Sequence, residues 1–359
     1  MREYPKLLLC ALVLSALCHP LRAQESDSAA TEVGVLFRSH EVLTLTIEAP
    51  LKSIFRERDQ ESEYHDSKLR IAESDGTEQE LDVGLKTRGK FRLQKSTCEF
   101  PPIRLNIRRR QAANTAFDGQ DKLKIVTHCQ DGRSQNEQHV LQEYLAYRIY
   151  NLFSDLSFGV RLARITYVDT EDDRETVTRY AFLIEDEELM AQRNGWEALE
   201  VPMVQPTIYD QQQLNLVEVF QYLIGNTDWD AFRNAPDEEL CCHNVKVIGD
   251  IAGPVFPVPY DFDFSGIVDT RYATPHPSLR TRSVRQRVYR GVCRPRDDID
   301  ATLRLFQEQK EAIYSLYRSQ AGLEERTLER SIEYLDEFFE VIEDPGKVRG
   351  RIERDCRRP

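Results

Sequence analysis

The 359-residue chain has no apolar run near the ~20 residues that a membrane-spanning helix needs. Its longest, Leu7 to Cys18 with only Ser15 interrupting, is 12 residues, which argues against an integral membrane segment. CxxC pairs at zinc-finger spacing are also missing, which disfavours a structural zinc site built on His128-Cys129 and Cys241-Cys242-His243. Positive charge is in deficit. Lys and Arg number 48 against 61 Asp and Glu, a net charge of −13, so charge attracts the chain to neither nucleic acid nor anionic membrane. There is no glycine-rich GxGxxG loop, no internal repeat and no low-complexity linker. Disorder throughout is excluded by 40% hydrophobic content and by aromatic residues spread along the chain.

The N-terminus carries the pattern of a secretory leader. Arg2 and Lys6 precede an apolar stretch, Leu7–Leu17, and Leu21-Arg22-Ala23 offers a cleavage site before Gln24. Residues 1–23 are therefore expected to be a signal peptide, and the protein to be exported, periplasmic or secreted. The remaining chain would carry a charge of −15, from 45 basic and 60 acidic residues. It would retain six cysteines: Cys98, Cys129, Cys241, Cys242, Cys293 and Cys356. An even count in an oxidising compartment points to disulfides, with 15 possible pairings open. Adjacent Cys241 and Cys242 are expected to bond to different partners, pinning one loop to two places.

Hydropathy alternates with period two at 42–47, 81–85 and 103–107, and 122–126 is a fourth strand candidate. The period then changes. Val140, Leu141, Tyr144, Leu145, Tyr147, Ile149 and Leu152 predict a helix over 135–153. Strands are expected at Leu162–Val168 and Thr178–Ile184, and helices at 211–225, 298–319 and 323–342. The apolar stretch Ile251–Pro259 interrupts the helical half. The layout is an α+β chain: a strand-rich N-lobe over 24–186 containing the 135–153 helix, then a mostly helical C-lobe over 187–359.

The densest chemistry lies in three segments: Ile224-Gly-Asn-Thr-Asp-Trp-Asp230, Cys241-Cys-His-Asn-Val245 and Pro257-Val-Pro-Tyr-Asp-Phe-Asp-Phe264. Carboxylates in apolar surroundings cost several kcal/mol unless they are paired or bind a cation. The order Asp228, Asn244, Asp261 is the one magnesium-dependent phosphoryl transfer uses: one Asp to orient the nucleophilic hydroxyl, Asn and a second Asp to hold the metal. Each residue alone also fits ordinary turn chemistry. The N-terminal half supplies Lys124 on a strand and Glu143 in the following helix, a phosphate-gripping lysine and its glutamate partner. Lys122 and Lys86 are alternatives to Lys124.

These segments together resemble the CotH family, spore-coat-type secreted kinases with an atypical protein-kinase-like fold. The resemblance covers roughly 80–270 and rests on Arg88-Gly89, Lys122-Leu-Lys-Ile-Val126 before the Glu143 helix, Ala163-Arg-Ile-Thr-Tyr167 and Phe182-Leu-Ile-Glu-Asp186. Asn226-Thr-Asp228, His243-Asn244 and Pro259-Tyr-Asp-Phe-Asp263 complete it, and these last three also resemble the catalytic segments of HipA-like kinases. The resemblance implies a bilobal, kinase-like fold, with Asp228 as catalytic base and Asn244, Asp261 and Asp263 as ligands of Mg²⁺ or Mn²⁺. It assigns Lys124 or Lys86 with Glu143 to the nucleotide, ATP or another; Arg88 is a further candidate to hold phosphates by charge. The implied substrate is an exported or cell-envelope protein.

Two rival functions stand beside it. Asp261-Phe-Asp-Phe-Ser265 fits the DxDx[ST] pattern of aspartyl-phosphate phosphatases, but no strands are evident after it. A non-catalytic, kinase-like binding or scaffold protein of the cell envelope is the other. The basic loop from Tyr272 to Cys293 is where a protein substrate would lie, its arginines available to acidic or phosphorylated segments.

Overall fold

The computed structural model describes Met1 and residues 33–59, 61–72, 76–132, 135–234 and 240–358. The expected leader, from its second residue on, lies outside the described residues.

Two short helices, α1 (Val35–Arg38) and α2 (Leu51–Arg56), flank the first of seven strands that close into a barrel. These are β1 (Leu43–Ala49), β2 (His65–Ala72), β3 (Glu78–Thr87), β4 (Ile103–Ile107), β5 (Lys122–Val126), β6 (Val160–Asp169) and β7 (Val177–Ile184). The order around the barrel is β1-β2-β3-β4-β5-β7-β6. Every pair is antiparallel except β1 with β6, whose parallel register from Leu43↔Ala163 to Ala49↔Asp169 closes it. Period-two alternation sends Leu45, Ile47, Leu69, Ile71, Val83, Leu105, Ile125 and Leu183 inside, where α1 and α2 add Leu36, Phe37, Ile54 and Phe55.

After α3 (Arg109–Ala112) comes α4 (Gln135–Tyr150), which lies across β6 and β7 outside the barrel. Val126, Val160, Leu162, Phe182 and Ile184 point outward and join α4 in a second core. The remaining elements are α5 (Glu187–Arg193), β8 (Glu197–Ala198), α6 (Gln211–Ile224), β9 (Val245–Gly249) and β10 (Val255–Pro259). Then follow α7 (Arg296–Glu308), α8 (Lys310–Ser319), α9 (Glu325–Ile342) and α10 (Pro345–Val348). α6 ends at Gly225, whose φ of +65° makes a left-handed cap and whose missing Cβ leaves room for the Tyr334 hydroxyl.

The expected bilobal, kinase-like fold with a mostly helical C-lobe does not form. The strands close on themselves into a mixed barrel, because pairing β6 with β1 satisfies two edges that would otherwise expose unpaired backbone groups. The second half is not purely helical either, since β10-β9-β8 forms a separate three-stranded sheet. The single helix expected over 298–319 is two, divided at Gln309.

Cys98 is bonded to Cys129 and Cys293 to Cys356. Cys241 and Cys242 are bonded to each other, which corrects the expectation of two distant partners. Among the described residues the other four cysteines are paired with one another. Among the described residues no helix is long and apolar enough to cross a membrane.

Candidate functional site

The site is assembled by backbone pairing around the β9–β10 hairpin. Val245 pairs with Pro259 at its open end, and the Tyr260 N–H donates to the Asn244 carbonyl at 3.1 Å. Asn244 and Asp261, 17 residues apart in sequence, therefore emerge side by side. Asp228 arrives through a bridge one residue pair further out, where the Asp230 N–H donates to the His243 carbonyl at 2.9 Å. Asn244 and Asp261 both adopt left-handed backbone, with φ of +51° and +58°. Asn and Asp tolerate that region better than most residues, and its cost of about 1–3 kcal/mol is typical of functional positions.

Asp228 is fixed from three sides. Its N–H donates to Asn226 Oδ1 at 2.9 Å, its Oδ1 meets His243 Nε2 at 3.1 Å, and its Oδ2 accepts from Asn244 Nδ2 at 3.1 Å. The same amide also donates to the Asp228 carbonyl at 2.6 Å. With Nδ2 committed, Asn244 has its Oδ1 to offer a ligand.

Helix α4 braces the other acids. Glu143 and Tyr147, one turn apart, accept backbone N–H groups from Phe262 and Asp261, the latter at 2.9 Å. Asp263 is buried, and its Oδ2 accepts from the Tyr272 hydroxyl at 2.8 Å. Burial and then the Asp261 carboxylate push Glu143 up to about 8, against the opposing pull of Arg92 and Arg88. Burial, Asp261 and Glu143 likewise hold Asp263 well above the carboxylate range. Burial disfavours charge on Arg92, but Tyr272, Asp263, Glu143 and Asp261 outweigh it and keep the guanidinium charged. Its Nη1 lies 4.0 Å from Glu143 Oε2.

A basic rim faces these acids. Arg88 Nη2 donates to the Tyr260 hydroxyl at 3.0 Å, and Lys124 Nζ lies 4.6 Å from the centroid of the same ring. Burial alone would raise the Tyr260 hydroxyl, yet Arg88 and Lys124 outweigh it and lower it. A cleft of about 530 Å³ is lined by Arg88, Glu143, Asp228, Asn244, Asp261 and Asp263. It shares Lys90, Cys242 and Lys246 with an outer chamber of about 1020 Å³ that also holds Lys124.

Six of the candidate residues thus meet in one cleft and Lys124 lies at its mouth. Lys86 does not join them: it sits over Tyr64 and donates to the Ser62 carbonyl at 2.9 Å. The expected pairing of Lys124 with Glu143 is replaced by Arg92 beside Glu143. Arg92 carried no local signal, because it lies in a short turn (Phe91–Leu93) and its role exists only through tertiary neighbours. The basic loop is turned inward more than expected. Arg285, Arg287 and Arg290 donate to the carbonyls of Gly266, Leu223 and Thr227, and Arg294 pairs with buried Glu218 at 2.8 Å.

Among the described residues, no three His, Cys, Asp or Glu side chains are grouped closely enough to hold a metal ion unaided. The donor set present is two carboxylates and an amide oxygen. Mg²⁺ is usually held by one or two carboxylates together with substrate phosphates, so the residues fit a cation that arrives with a nucleotide. No protein-family model matches the chain, and no curated protein or solved structure does.

Proposed function

We propose that the chain is an exported phosphotransferase that moves a phosphoryl (or nucleotidyl) group from a nucleotide such as ATP to a protein hydroxyl. The observation that carries this reading is the convergence of Asp228, Asn244, Asp261 and Asp263 with Arg88 and Arg92 in one cleft. In this scheme Asp228 orients the acceptor hydroxyl and takes its proton. His243 and Asn244 each occupy one lone pair of its carboxylate, which leaves further lone pairs for the substrate. Asp261, Asp263 and Asn244 would hold Mg²⁺ or Mn²⁺, which when bound neutralises charge on the phosphates. Arg88 and Lys124 steer the nucleotide's phosphates into the cleft. The two disulfides Cys98–Cys129 and Cys293–Cys356 suit an oxidising compartment, which supports export.

The test is thermal melting of the full chain with nucleotide, with Mn²⁺ or Mg²⁺, and with both, followed by a transfer assay on envelope proteins. Ligand that binds the native state raises Tm by mass action. Stabilisation that needs nucleotide and cation together supports the reading, and no response to either ends it. A non-catalytic binding protein is the second reading, favoured by the absence of a self-sufficient metal cluster among the described residues. Nucleotide stabilisation without any transfer would select it.

A further inference from the structure

A further cavity, of about 280 Å³, is lined by Arg92 and Glu143, which also line the inner cleft. Helix α4 presents Asn136, His139, Val140 and Glu143 to it, the i, i+3, i+4, i+7 face of one helix. The segment after β3 contributes Arg92, Ser96 and Thr97, and Thr127 follows directly on β5. The Cys98–Cys129 bond, with the Phe100 N–H donating to the Cys129 carbonyl at 2.9 Å, fastens these two segments together. Arg271 reaches the lining from the stretch after Asp263. Among the described residues the lining therefore holds two guanidinium groups against one carboxyl, that of Glu143. Glu143 is raised to about 8, so at pH 7 it is mostly protonated and repels no anion. His128 and His139, also in the lining, are held below their ordinary value by burial and stay neutral there.

Arg92 is short of acceptors. Its side chain is only 12% exposed, yet Nη1 lies 4.0 Å from Glu143 and Nε meets no acceptor among the described residues. Nη2 donates to the Thr127 carbonyl at 2.7 Å. A buried guanidinium with unmade hydrogen bonds carries a desolvation cost that an anion with several oxygens would offset. Arg271 donates to the neutral Gln135 Oε1 at 3.0 Å, a contact that leaves its charge uncompensated. The volume is far above the roughly 10–15 Å³ that one water needs and just below the ~300–1,000 Å³ of pockets for larger organic ligands. We infer that this cavity binds a small oxyanion of the phosphate class, held by Arg92 and Arg271 with the Ser96 and Thr97 hydroxyls available to its remaining oxygens. Guanidinium groups match the oxygens of such an ion in geometry as well as charge, which chloride cannot exploit. The site does not depend on the phosphotransfer reading.

Calorimetric titration of the full chain at pH 7 with inorganic phosphate, with glycerol 3-phosphate and with chloride at matched ionic strength tests it. Saturable binding of one phosphate compound is expected, and none of chloride. Tighter binding of inorganic phosphate assigns the site to the free ion; tighter binding of glycerol 3-phosphate assigns it to a small phosphomonoester. Arg271→Ala and Ser96→Asp should each weaken that binding about tenfold or more, the first by removing a charge-assisted bond and the second by adding a carboxylate to the lining. Both residues are exposed, so neither substitution threatens folding. Arg88→Ala should leave the affinity unchanged, because Arg88 lines the inner cleft and not this cavity. No saturable binding of either compound, or an affinity that both Arg271→Ala and Ser96→Asp leave intact, overturns the inference. Loss of binding in Arg88→Ala also overturns it, by placing the anion in the inner cleft. The phosphotransfer reading survives any of these results, since it stands or falls on nucleotide with Mn²⁺ or Mg²⁺.

Discussion

Glu143 gives the sharpest physical test, because it is a buried carboxyl held near 8 in the folded chain against an ordinary value of 4.5. A carboxyl whose pKa is raised by folding binds a proton in the native state that the unfolded chain has already lost. Stability therefore falls as pH rises above 4.5 and levels off only beyond about 8. At 1.36 kcal/mol per pKa unit, the rise from 4.5 to about 8 corresponds to about 5 kcal/mol at full ionisation. The cleanest window is pH 6.5 to 8. His139, which burial holds down at about 4, is neutral in both states across most of it. Over that interval ionisation of Glu143, together with Asp263, which burial, Asp261 and Glu143 hold raised beside it, should cost on the order of 2 kcal/mol of stability. Buried Glu218, raised to about 7, adds to the slope at the lower end in both proteins compared here. Glu143→Gln keeps an oxygen to accept the Phe262 N–H but carries no charge. Urea unfolding at pH 6.5 and 8 should show that the variant loses less stability than the unaltered protein, by up to that amount. Identical losses in the two proteins would refute the claim that Glu143 is protonated because Asp261 and burial oppose its charge.

Three further outcomes follow from the geometry. Asp228→Ala should fold normally and lower transfer by about 10²- to 10⁴-fold, the usual worth of a positioned base, read by incorporation of label into protein; an unfolded or fully active variant contradicts the assignment. Asp261→Ala should abolish cation-dependent thermal stabilisation in the presence of nucleotide, and a persisting response removes Asp261 from the ligand set. Arg193→Leu should cost about 3–5 kcal/mol by chemical denaturation, because Glu185 is buried and takes two bonds from that guanidinium, at 2.9 and 3.1 Å.

Elements whose burial pattern is local were legible from the chain alone. The strands at 103–107 and 122–126 occur with the expected bounds, and α4 differs from its expected range only by ending at Tyr150. β2 was missed because its inward face consists of Ser67, Leu69 and Ile71, with a hydroxyl where a third apolar residue would have completed the alternation. The break at Gln309 was equally silent, since the apolar spacing runs on through it.

Residue chemistry and spacing alone singled out Asp228, Asn244 and Asp261, because a carboxylate or amide inside an apolar segment is conspicuous without any coordinates, and Glu143 by its place in the helix after the Lys124 strand; Asp263 and Arg88 entered through the resemblance. Barrel closure, the bonding of Cys241 to Cys242 and the placing of Arg92 against Glu143 were decided only in three dimensions. Each depends on which distant segments become neighbours. Parallel pairing of β1 with β6 joins residues about 120 positions apart, and no periodicity in either strand names its partner. The same holds for Lys124: its sequence position matched a grip on Glu143, but the path of the hairpin set Tyr260 beneath it instead.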